Sequence, residues 1–236
     1  MYVISIDGAC RRNGKPDCVS AGGLFIQEFD ESLDNPTLTS TLSVFEMQST
    51  NQRGEMNALR AALEFLWPRE QQAQIITDSE YLFNAMTKGW ITSWARKGWV
   101  TATGEPVKNR DLWEAIFKEY NHCLSNGIEV MFYHIKGHCI PFGKVTASSL
   151  LSKDRTGSQL FEEVKAKYAA SQNKDSVKKN LEKARGLSIK NHGFEFDEST
   201  LSRFVCANVM ADAVATMCVD AADALYLSGN KHGIMQ

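Results

Sequence analysis

The most informative stretch of the chain is Ile75–Trp113, which reads IITDSEYLFNAMTKGWITSWARKGWVTATGEPVKNRDLW. It opens on a short apolar run that ends at Thr77-Asp78-Ser79, which is the pattern of a buried strand followed by a turn. Open α/β sheets bind their ligands at the carboxyl ends of such strands, so Asp78 is a candidate site residue. Ser79 is a suitable N-cap for the helix that follows.

Tryptophans are interleaved with basic residues in the second part of this stretch. An aromatic surface mixed with fixed cations suits a nucleic-acid backbone. A tryptophan-rich core with a solvated basic rim explains the same pattern, and core packing is the interpretation that we prefer for Trp90 and Trp99. The residues concerned are Trp90, Trp94 and Trp99 together with Lys88, Arg96 and Lys97.

The bulk composition is that of a globular protein. The 236 residues are 43% hydrophobic and 23% charged, and their formal net charge is -2. This length allows one full core with an insertion, or two small domains. A chain with this charge balance contacts nucleic acid only through local clusters of Lys and Arg.

Cysteine usage and the first residues predict the compartment. The six cysteines contain no C-x-x-C pair, which in a chain of this length without a secretory signal indicates free thiols in a reducing environment. The opening residues MYVISID have no basic region and only a short apolar run, so they predict neither a signal peptide nor a membrane span. We therefore expect a cytoplasmic protein without a membrane partner.

Hydrophobic periodicity predicts a mixed α/β fold. The apolar pattern has a strand-like period near the N-terminus, and it changes to a helical period after residue 51. Three strands joined by turns predict an antiparallel meander, and the later alternation of strands and helices predicts a mixed sheet flanked by helices. The predicted strands are residues 2–7, 21–29, 38–47, 75–77 and 128–135, and the predicted helices are residues 54–67, the segment after Ser79, residues 111–125 and residues 204–227.

The segment 141–203 differs in composition from its surroundings. Leu160, Phe161, Val164 and Tyr168 mark one helical face, and Val177, Leu181 and Ala184 mark a second that ends at Arg185-Gly186. Between Lys144 and Arg203 there are 12 Lys/Arg against 8 Asp/Glu, counted from the sequence. A helical hairpin packed on the core is the slightly preferred interpretation; a lid or an additional grip on nucleic acid is the alternative.

The opening stretch closely resembles ribonuclease H of the type 1 class. The resemblance rests on TDSEY, on the pattern W-x3-W-x-R-K-G-W and on PVKNRDLW, and it covers roughly residues 1–140 and 204–228. It implies a ribonuclease H-like α/β fold, with a five-stranded mixed sheet flanked by helices. The implied domain organisation is a catalytic domain made of residues 1–140 and 204–236, with a helical insertion of unknown role at 141–203 before the last helix.

Four carboxylates occur in contexts that could converge. Hydrolysis of a phosphodiester needs an activated water, a stabilised leaving oxygen and neutralised phosphate charge, and two Mg²⁺ ions held by clustered carboxylates supply all three. Strand-end turns explain Asp7 and Asp78 without such a role, and helix-dipole complementarity explains Glu55. Asp212 lies among Ala, Val and Met and requires a partner or a metal.

Each of these contexts also matches the family pattern, in the same order along the chain. The matches are D-G-x-C at Asp7, T-N-Q-R-x-E at Glu55, T-D-S at Asp78 and N-x-x-x-D-x-x-A at Asp212. The resemblance implies that Asp7 contacts two Mg²⁺ ions, that Glu55 and Asp78 hold one, and that Asp212 completes the other, with Mn²⁺ able to substitute. Asp154 is the nearest competitor for the fourth position, but it lacks the flanking Asn and Ala.

His138, in the sequence IKGH, matches the mobile-loop histidine of the family, which is thought to assist proton transfer or product release. An ordinary surface histidine is the alternative. A zinc site made of His134, His138 and Cys139 is a further alternative, but a strand does not make residues four apart converge as a helix does.

The resemblance also implies contacts with an RNA–DNA hybrid. Cys10, Asn13, Asn51 and Gln52, with Glu55, are expected to read the minor groove and the ribose 2′-hydroxyl. Thr50 and Asn109 match positions that hold a phosphate of the DNA strand, whereas Gln48 stands where a basic residue is common. Residues Trp94, Arg96 and Lys97 match the basic protrusion of the family.

We therefore expect a Mg²⁺-dependent endonuclease that cuts the RNA strand of RNA–DNA hybrids and leaves 5′-phosphate and 3′-hydroxyl ends. Two alternatives remain. One is a nuclease of the same fold that acts on another nucleic acid, and the other is a hybrid-binding module without catalysis. We expect the protein to be a monomer.

Overall fold

The computed structural model describes residues 1–30, 35–69, 71–141 and 157–231. One five-stranded sheet with the order β3-β2-β1-β4-β5 forms its centre. The first three strands are antiparallel neighbours, as predicted, while β4 and β5 run parallel to β1. The strands are β1 (Tyr2–Arg11), β2 (Val19–Phe29), β3 (Pro36–Met47), β4 (Ala73–Thr77) and β5 (Val130–His134).

Helices cover both faces of this sheet, which confirms the predicted fold class. The first helix begins after Thr50, whose side-chain oxygen accepts a hydrogen bond from the Arg53 N–H at 3.3 Å. It ends at Leu66, just before Pro68, which has no N–H to continue it. The described helices are α1 (Asn51–Leu66), α2 (Glu80–Thr87), α3 (Trp90–Arg96), α4 (Arg110–Ser125), α5 (Gly157–Ser171), α6 (Asp175–His192) and α7 (Glu198–Lys231), with a 3-10 turn at Trp67–Arg69.

Two apolar cores lie on opposite faces of the sheet. One joins the sheet to α1, α2, α3 and α4, and Trp113 is its largest fully buried side chain. The other joins the sheet to α5, α6 and α7 and includes Phe25, Val164, Leu181 and Phe204. Burial of side chains from both sides explains why the central strands contain long apolar runs.

The insertion shares a core with the sheet, which supports the packing interpretation. The apolar faces predicted for its two helices are buried in α5 and α6. Helix α6 continues through Gly186 to His192 and ends at Gly193, in the left-handed region at φ 80°. The last helix begins at Glu198, so the predicted boundary at residue 204 lies inside α7. Residue 154, the rejected fourth carboxylate, lies outside the described residues.

Helix α7 is apolar enough to pass a simple test for a membrane span. Its Glu198–Ser228 portion has a hydropathy of 1.5 over the best window, by length and composition only. However, 67% of that window is buried inside the protein. The packing of α7 on the sheet accounts for its composition.

The prediction that all six cysteines are free thiols is wrong for one pair. Cys10 and Cys18 form a disulfide, with their Cα atoms 6.8 Å apart. The hairpin of β1 and β2 places Arg11 opposite Val19, and it thereby brings positions 10 and 18 close to each other. A search for adjacent cysteine pairs cannot detect such a cross-strand arrangement. The free cysteines are Cys123, Cys139, Cys206 and Cys218.

Candidate active site

Two of the predicted carboxylates lie side by side on neighbouring parallel strands. Ser5 pairs with Ile76 where β1 and β4 run together. Asp7 and Asp78 each follow two residues later, so both lie at the same edge of the sheet. Asp7 is 7% exposed, and one of its carboxylate oxygens accepts a hydrogen bond from the Gly8 N–H at 2.6 Å. Asp7 and Asp78 therefore lie together at the carboxyl ends of the paired portions of β1 and β4, and open α/β sheets bind their ligands at such strand ends.

Glu55 enters the same place from the first turns of α1. Its Oε2 accepts a hydrogen bond from the Ser79 hydroxyl at 2.6 Å, and its Oε1 accepts one from the Asn51 amide at 3.2 Å. Ser79 occupies the N-cap position of α2, as predicted, but its side chain makes no capping hydrogen bond. The hydroxyl instead holds the carboxylate of Glu55 beside Asp78.

Asp212 reaches the site because α7 packs very closely on β2. Gly23 pairs with Asp7 across the β1–β2 ladder. A Cβ atom at Gly23 would overlap the backbone of Ala211 and Ala215, so only glycine admits the helix at this distance. Asp212 follows Ala211 directly and thereby lies near Asp7. The electrostatic effect of Asp212 on both Asp7 and Asp78 confirms that proximity.

The four acids form one electrostatic cluster. Burial raises the pKa of Asp7 well above its ordinary value, and the charges of Asp78, Asp212 and Glu55 raise it further. Burial also raises the pKa of Asp78, although His138 opposes this effect. Glu55 has a pKa of about 7, because burial outweighs the hydrogen bond from Ser79. Like charges gathered in a partly buried place favour protonation or a bound cation.

A loop from β5 passes directly over Asp78. A Cβ atom at Gly137 would overlap the Asp78 carboxylate, so this position also requires a very close approach. The next residue, His138, has φ 51° and an exposed side chain. Its effect on the pKa of Asp78 places the imidazole within electrostatic reach of the cluster. The loop thus presents His138 to solvent at the rim of the carboxylate site.

The donor set fits a hard divalent cation. Carboxylate oxygens are the ligands that Mg²⁺ and Mn²⁺ prefer, and positive charge near the cluster would stabilise its ionised form. Within the described residues, no three His, Cys, Asp or Glu side chains are close enough to hold an ion together. Asp7, Glu55, Asp78 and Asp212 are the residues that could hold the metal.

The zinc alternative is not supported by the contacts of its proposed ligands. His134 places its Nε2 atom 3.2 Å from the main-chain oxygen of Asp78. The Cys139 thiol donates to the main-chain oxygen of Lys136 at 2.9 Å. Both side chains therefore have main-chain partners in the structure.

Most of the residues predicted to contact nucleic acid lie beside Glu55. The Asn51 N–H donates to the Asn13 side-chain oxygen at 3.4 Å, which brings the β1–β2 turn to the start of α1. The Asn109 amide donates to Gln52 at 3.1 Å and links the start of α4 to the same helix. Thr50 is the N-cap residue of α1. The structure thus brings Asn13, Thr50, Asn51, Gln52 and Asn109 together.

The other predicted contact residues are Trp94, Arg96 and Lys97, in or just after α3, and Cys10 in β1. Arg96 and Lys97 are exposed at the end of α3. Trp94 is half-buried against Trp113, with ring centroids 5.4 Å apart, so it supports the protrusion by packing. Cys10 is bonded to Cys18, and its thiol is therefore not the free donor that we expected.

Several residues next to the site were not found from the sequence. Ser79 was interpreted only as a helix cap, and His134 only as a rejected zinc ligand. Asn180 and Asn191 lie in the insertion, and they reach the site only through tertiary contacts. The Asn180 amide donates to the main-chain oxygen of His138 at 3.5 Å, and the Asn191 amide lies 3.0 Å from His134 Nδ1. No local pattern marks such contacts.

Comparison with known proteins gives a consistent result. Residues 1–150 match the family model described as RNase H. A ribonuclease H of Chlorobaculum parvum is 36% identical over 135 residues, which are 57% of this chain and 82% of the relative. One of Rickettsia felis is 31% identical over 153 residues, covering 65% of this chain and 90% of the relative. A crystal structure of LC9-RNase H1, a type 1 RNase H with the type 2 active-site motif, has 22% identity and a TM-score of 0.49, over 58% of this chain and 63% of that one.

Proposed function

Because the chain belongs to the ribonuclease H family, we propose that it hydrolyses the RNA strand of RNA–DNA hybrids by a two-metal-ion mechanism that leaves 5′-phosphate and 3′-hydroxyl ends. The family generally uses divalent metal ions, and we propose two Mg²⁺ ions for this chain. The observation that carries the proposal is the electrostatic cluster of Asp7, Glu55, Asp78 and Asp212. A non-catalytic binding module would have no need for these four costly charges.

The carboxylates would hold the cations between the sheet edge and the two flanking helices. Asp7 lies centrally, since the other three acids all act on its pKa. Glu55 and Asp78 approach from α1 and β4, and Asp212 approaches from α7. Bound Mg²⁺ supplies activation of water and neutralisation of phosphate charge. The chain's own contribution is to orient the oxygen ligands, to which the Ser79 hydroxyl, the Asn51 amide and the Gly8 N–H donate hydrogen bonds.

His138 would serve proton transfer or product release from the rim of the site. Its side chain is exposed, and its backbone is held by the Asn180 amide. An imidazole exchanges protons near neutral pH, which suits either role. It lies on the loop that passes over Asp78, at the rim of the carboxylate site.

Recognition of the hybrid would come from the group beside Glu55. Amide side chains of Asn13, Asn51 and Gln52 can donate to and accept from a ribose 2′-hydroxyl, which distinguishes RNA from DNA. Thr50 and Asn109 would hold a phosphate of the DNA strand, with Arg96 and Lys97 contributing charge from α3. These residues lie on the α1 side of the carboxylates, so the two functions occupy neighbouring surfaces.

Cleavage of matched substrates tests the proposal. An RNA–DNA hybrid, a double-stranded RNA and a DNA duplex of the same sequence are incubated with Mg²⁺, and the products are sized and end-labelled. We expect cleavage of the RNA strand of the hybrid alone. Asp78→Asn is expected to lower the rate more than about 100-fold while hybrid binding stays within about threefold. Cleavage of the other duplexes at a comparable rate would favour a different nuclease, and full activity of Asp78→Asn would remove the assigned site.

A further inference from the structure

Helix α6 is fixed to the catalytic edge of the sheet at two points. Near its start, the Asn180 amide donates to the main-chain oxygen of His138 at 3.5 Å. Near its end, the Lys190 ammonium lies 3.7 Å from a carboxylate oxygen of Glu80, which follows Ser79 at the start of α2. One side of α6 therefore runs along the rim of the carboxylate site.

The helical repeat determines which residues occupy that side. Val177, Leu181, Ala184 and Ser188 form the buried stripe of α6. At about 100° per residue, Asn180 and Asn191 border this stripe on one flank, and both contact the loop and strand end of the site. Beyond this flank, on the outward-facing side of the helix and about 130° to 170° from the buried stripe, lie Lys179, Lys183, Gly186 and Lys190, all of them exposed. We call these four residues the α6 lysine row.

The α6 lysine row carries charge that the protein does not neutralise. Lys179 and Lys183 form no salt bridge with any of the described acidic residues, and Lys190 has only the long contact with Glu80. By contrast, Arg185 on the other flank pairs with Glu195 and Glu198. A Cβ atom at Gly186 would meet nothing within 4 Å, so the surface between the lysines is open. The formal net charge of the chain is -2, so this unpaired positive charge is a local feature of α6.

We infer that the α6 lysine row binds the phosphodiester backbone of the hybrid on the side of the site opposite to α3. This inference rests on the proposed function, and it assigns a role in substrate binding to the insertion. Ammonium groups bind phosphate oxygens as point charges and release condensed counterions. Lys179 and Lys183 are one helical turn apart, roughly 6 Å along the axis, so both can contact one strand. The row would hold the substrate on the His138 side, while α3 and the Thr50–Asn109 group hold it on the other.

Two double variants within the same helix provide the test. K179Q/K183Q removes two charges from the row, and K174Q/K178Q removes two exposed charges from outside it. Steady-state cleavage of a hybrid gives KM and kcat, and fluorescence anisotropy in an Asp78→Asn background gives Kd as a function of salt. For K179Q/K183Q we expect KM and Kd to rise about three- to tenfold with kcat within twofold. The slope of log affinity against log salt should fall by about 1.5, since each phosphate contact contributes about 0.7–0.9.

The control variant K174Q/K178Q should leave KM, Kd and the salt slope within twofold of the wild type. Equal effects of the two double variants would show a general charge effect and overturn the assignment to the row. Unchanged binding in K179Q/K183Q would overturn it as well. Failure of the proposed function appears separately, as absence of hybrid cleavage by the wild-type protein, and the anisotropy measurement would still report whether the row binds nucleic acid.

Discussion

The Asn191 amide nitrogen lies 3.0 Å from His134 Nδ1, and this contact joins the insertion to the end of β5. On the other side of the ring, His134 Nε2 lies 3.2 Å from the main-chain oxygen of Asp78. A carbonyl oxygen only accepts, so Nε2 carries the ring proton and Nδ1 accepts from Asn191. Burial lowers the pKa of His134, which favours the neutral ring that this arrangement requires. Asn191 is thereby linked through His134 to the backbone of Asp78.

Asn191→Ala should loosen the backbone at Asp78 without touching the substrate surface. Outer residues that orient a metal ligand contribute about 10–100-fold, so we expect kcat to fall about 10-fold while KM stays within twofold. Nitrogen NMR of the metal-free protein should show the Nε2–H tautomer of His134 in the wild type and a mixture of tautomers in the variant. Asn173→Ala, which changes an exposed asparagine of the same insertion, is the matched control. A rise in KM alone, with the tautomer unchanged, would contradict the positioning role.

Gly23→Ala should separate α7 from the sheet. The added Cβ atom would overlap the backbone of Ala211 and Ala215, and a forced shift in a packed core costs about 1–3 kcal/mol. We expect that loss in a urea unfolding experiment. We also expect a fall in kcat, because Asp212 moves away with the helix. Gly186→Ala meets open space inside α6, so it should increase stability by about 0.5–1 kcal/mol. Full activity of Gly23→Ala would show that Asp212 is not needed at its observed position.

The pKa of Glu55 predicts how pH affects the metal-free protein. Its folded-state pKa is raised from 4.5 to about 7, mainly by burial. The folded state therefore binds more protons than the unfolded state between these values, and this contribution to stability is lost as pH rises through about 7. The melting temperatures of the wild type and of Glu55→Gln are measured in EDTA at pH 5 and at pH 8. Between these two pH values, the melting temperature of the wild type should fall by a few degrees more than that of the variant.

Mg²⁺ should reverse that loss, since it binds the deprotonated carboxylates. The rise in melting temperature on adding Mg²⁺ is expected to be larger at pH 8 than at pH 5, because protons compete with the cation at the lower pH. Glu55→Gln should show a smaller rise at both values. The same rise at pH 5 and pH 8 in the wild type would mean that the ion does not bind through these acids.

The structure brings together the four carboxylates that the sequence singles out, and each of them lies in a local pattern with a structural meaning. Asp7 and Asp78 follow apolar strands, and Glu55 begins an amphipathic helix. Asp212 lies beyond the insertion, and the spacing of Asn208 and Ala215 around it was enough to place it on the last helix. Strand pairing brings Asp7 and Asp78 together, since parallel strands end at one edge of a sheet, and the packing of α1 and α7 adds Glu55 and Asp212.

Contacts between distant segments were not predictable in the same way. Asn191 and His134 are 57 residues apart, and only the docking of α6 on the edge strand brings them together. The Cys10–Cys18 disulfide depends on hairpin register, which neither cysteine reveals alone. Gly186 suggested the end of a helix, but the buried Ser188 and the contact of Asn191 favour continuation. A glycine inside a helix costs only about 1 kcal/mol, which such packing outweighs.

A crystal of the protein with Mn²⁺ and an uncleaved hybrid would show whether the four carboxylates hold two divalent cations. The anomalous signal of Mn²⁺ locates the ions without assumptions about their ligands. We expect two peaks at the sheet edge, with Asp7 contacting both, Glu55 and Asp78 holding one, and Asp212 turned toward the other. Peaks away from residues 7, 55 and 78, or a carboxylate of Asp212 that points away from both ions, would contradict the account.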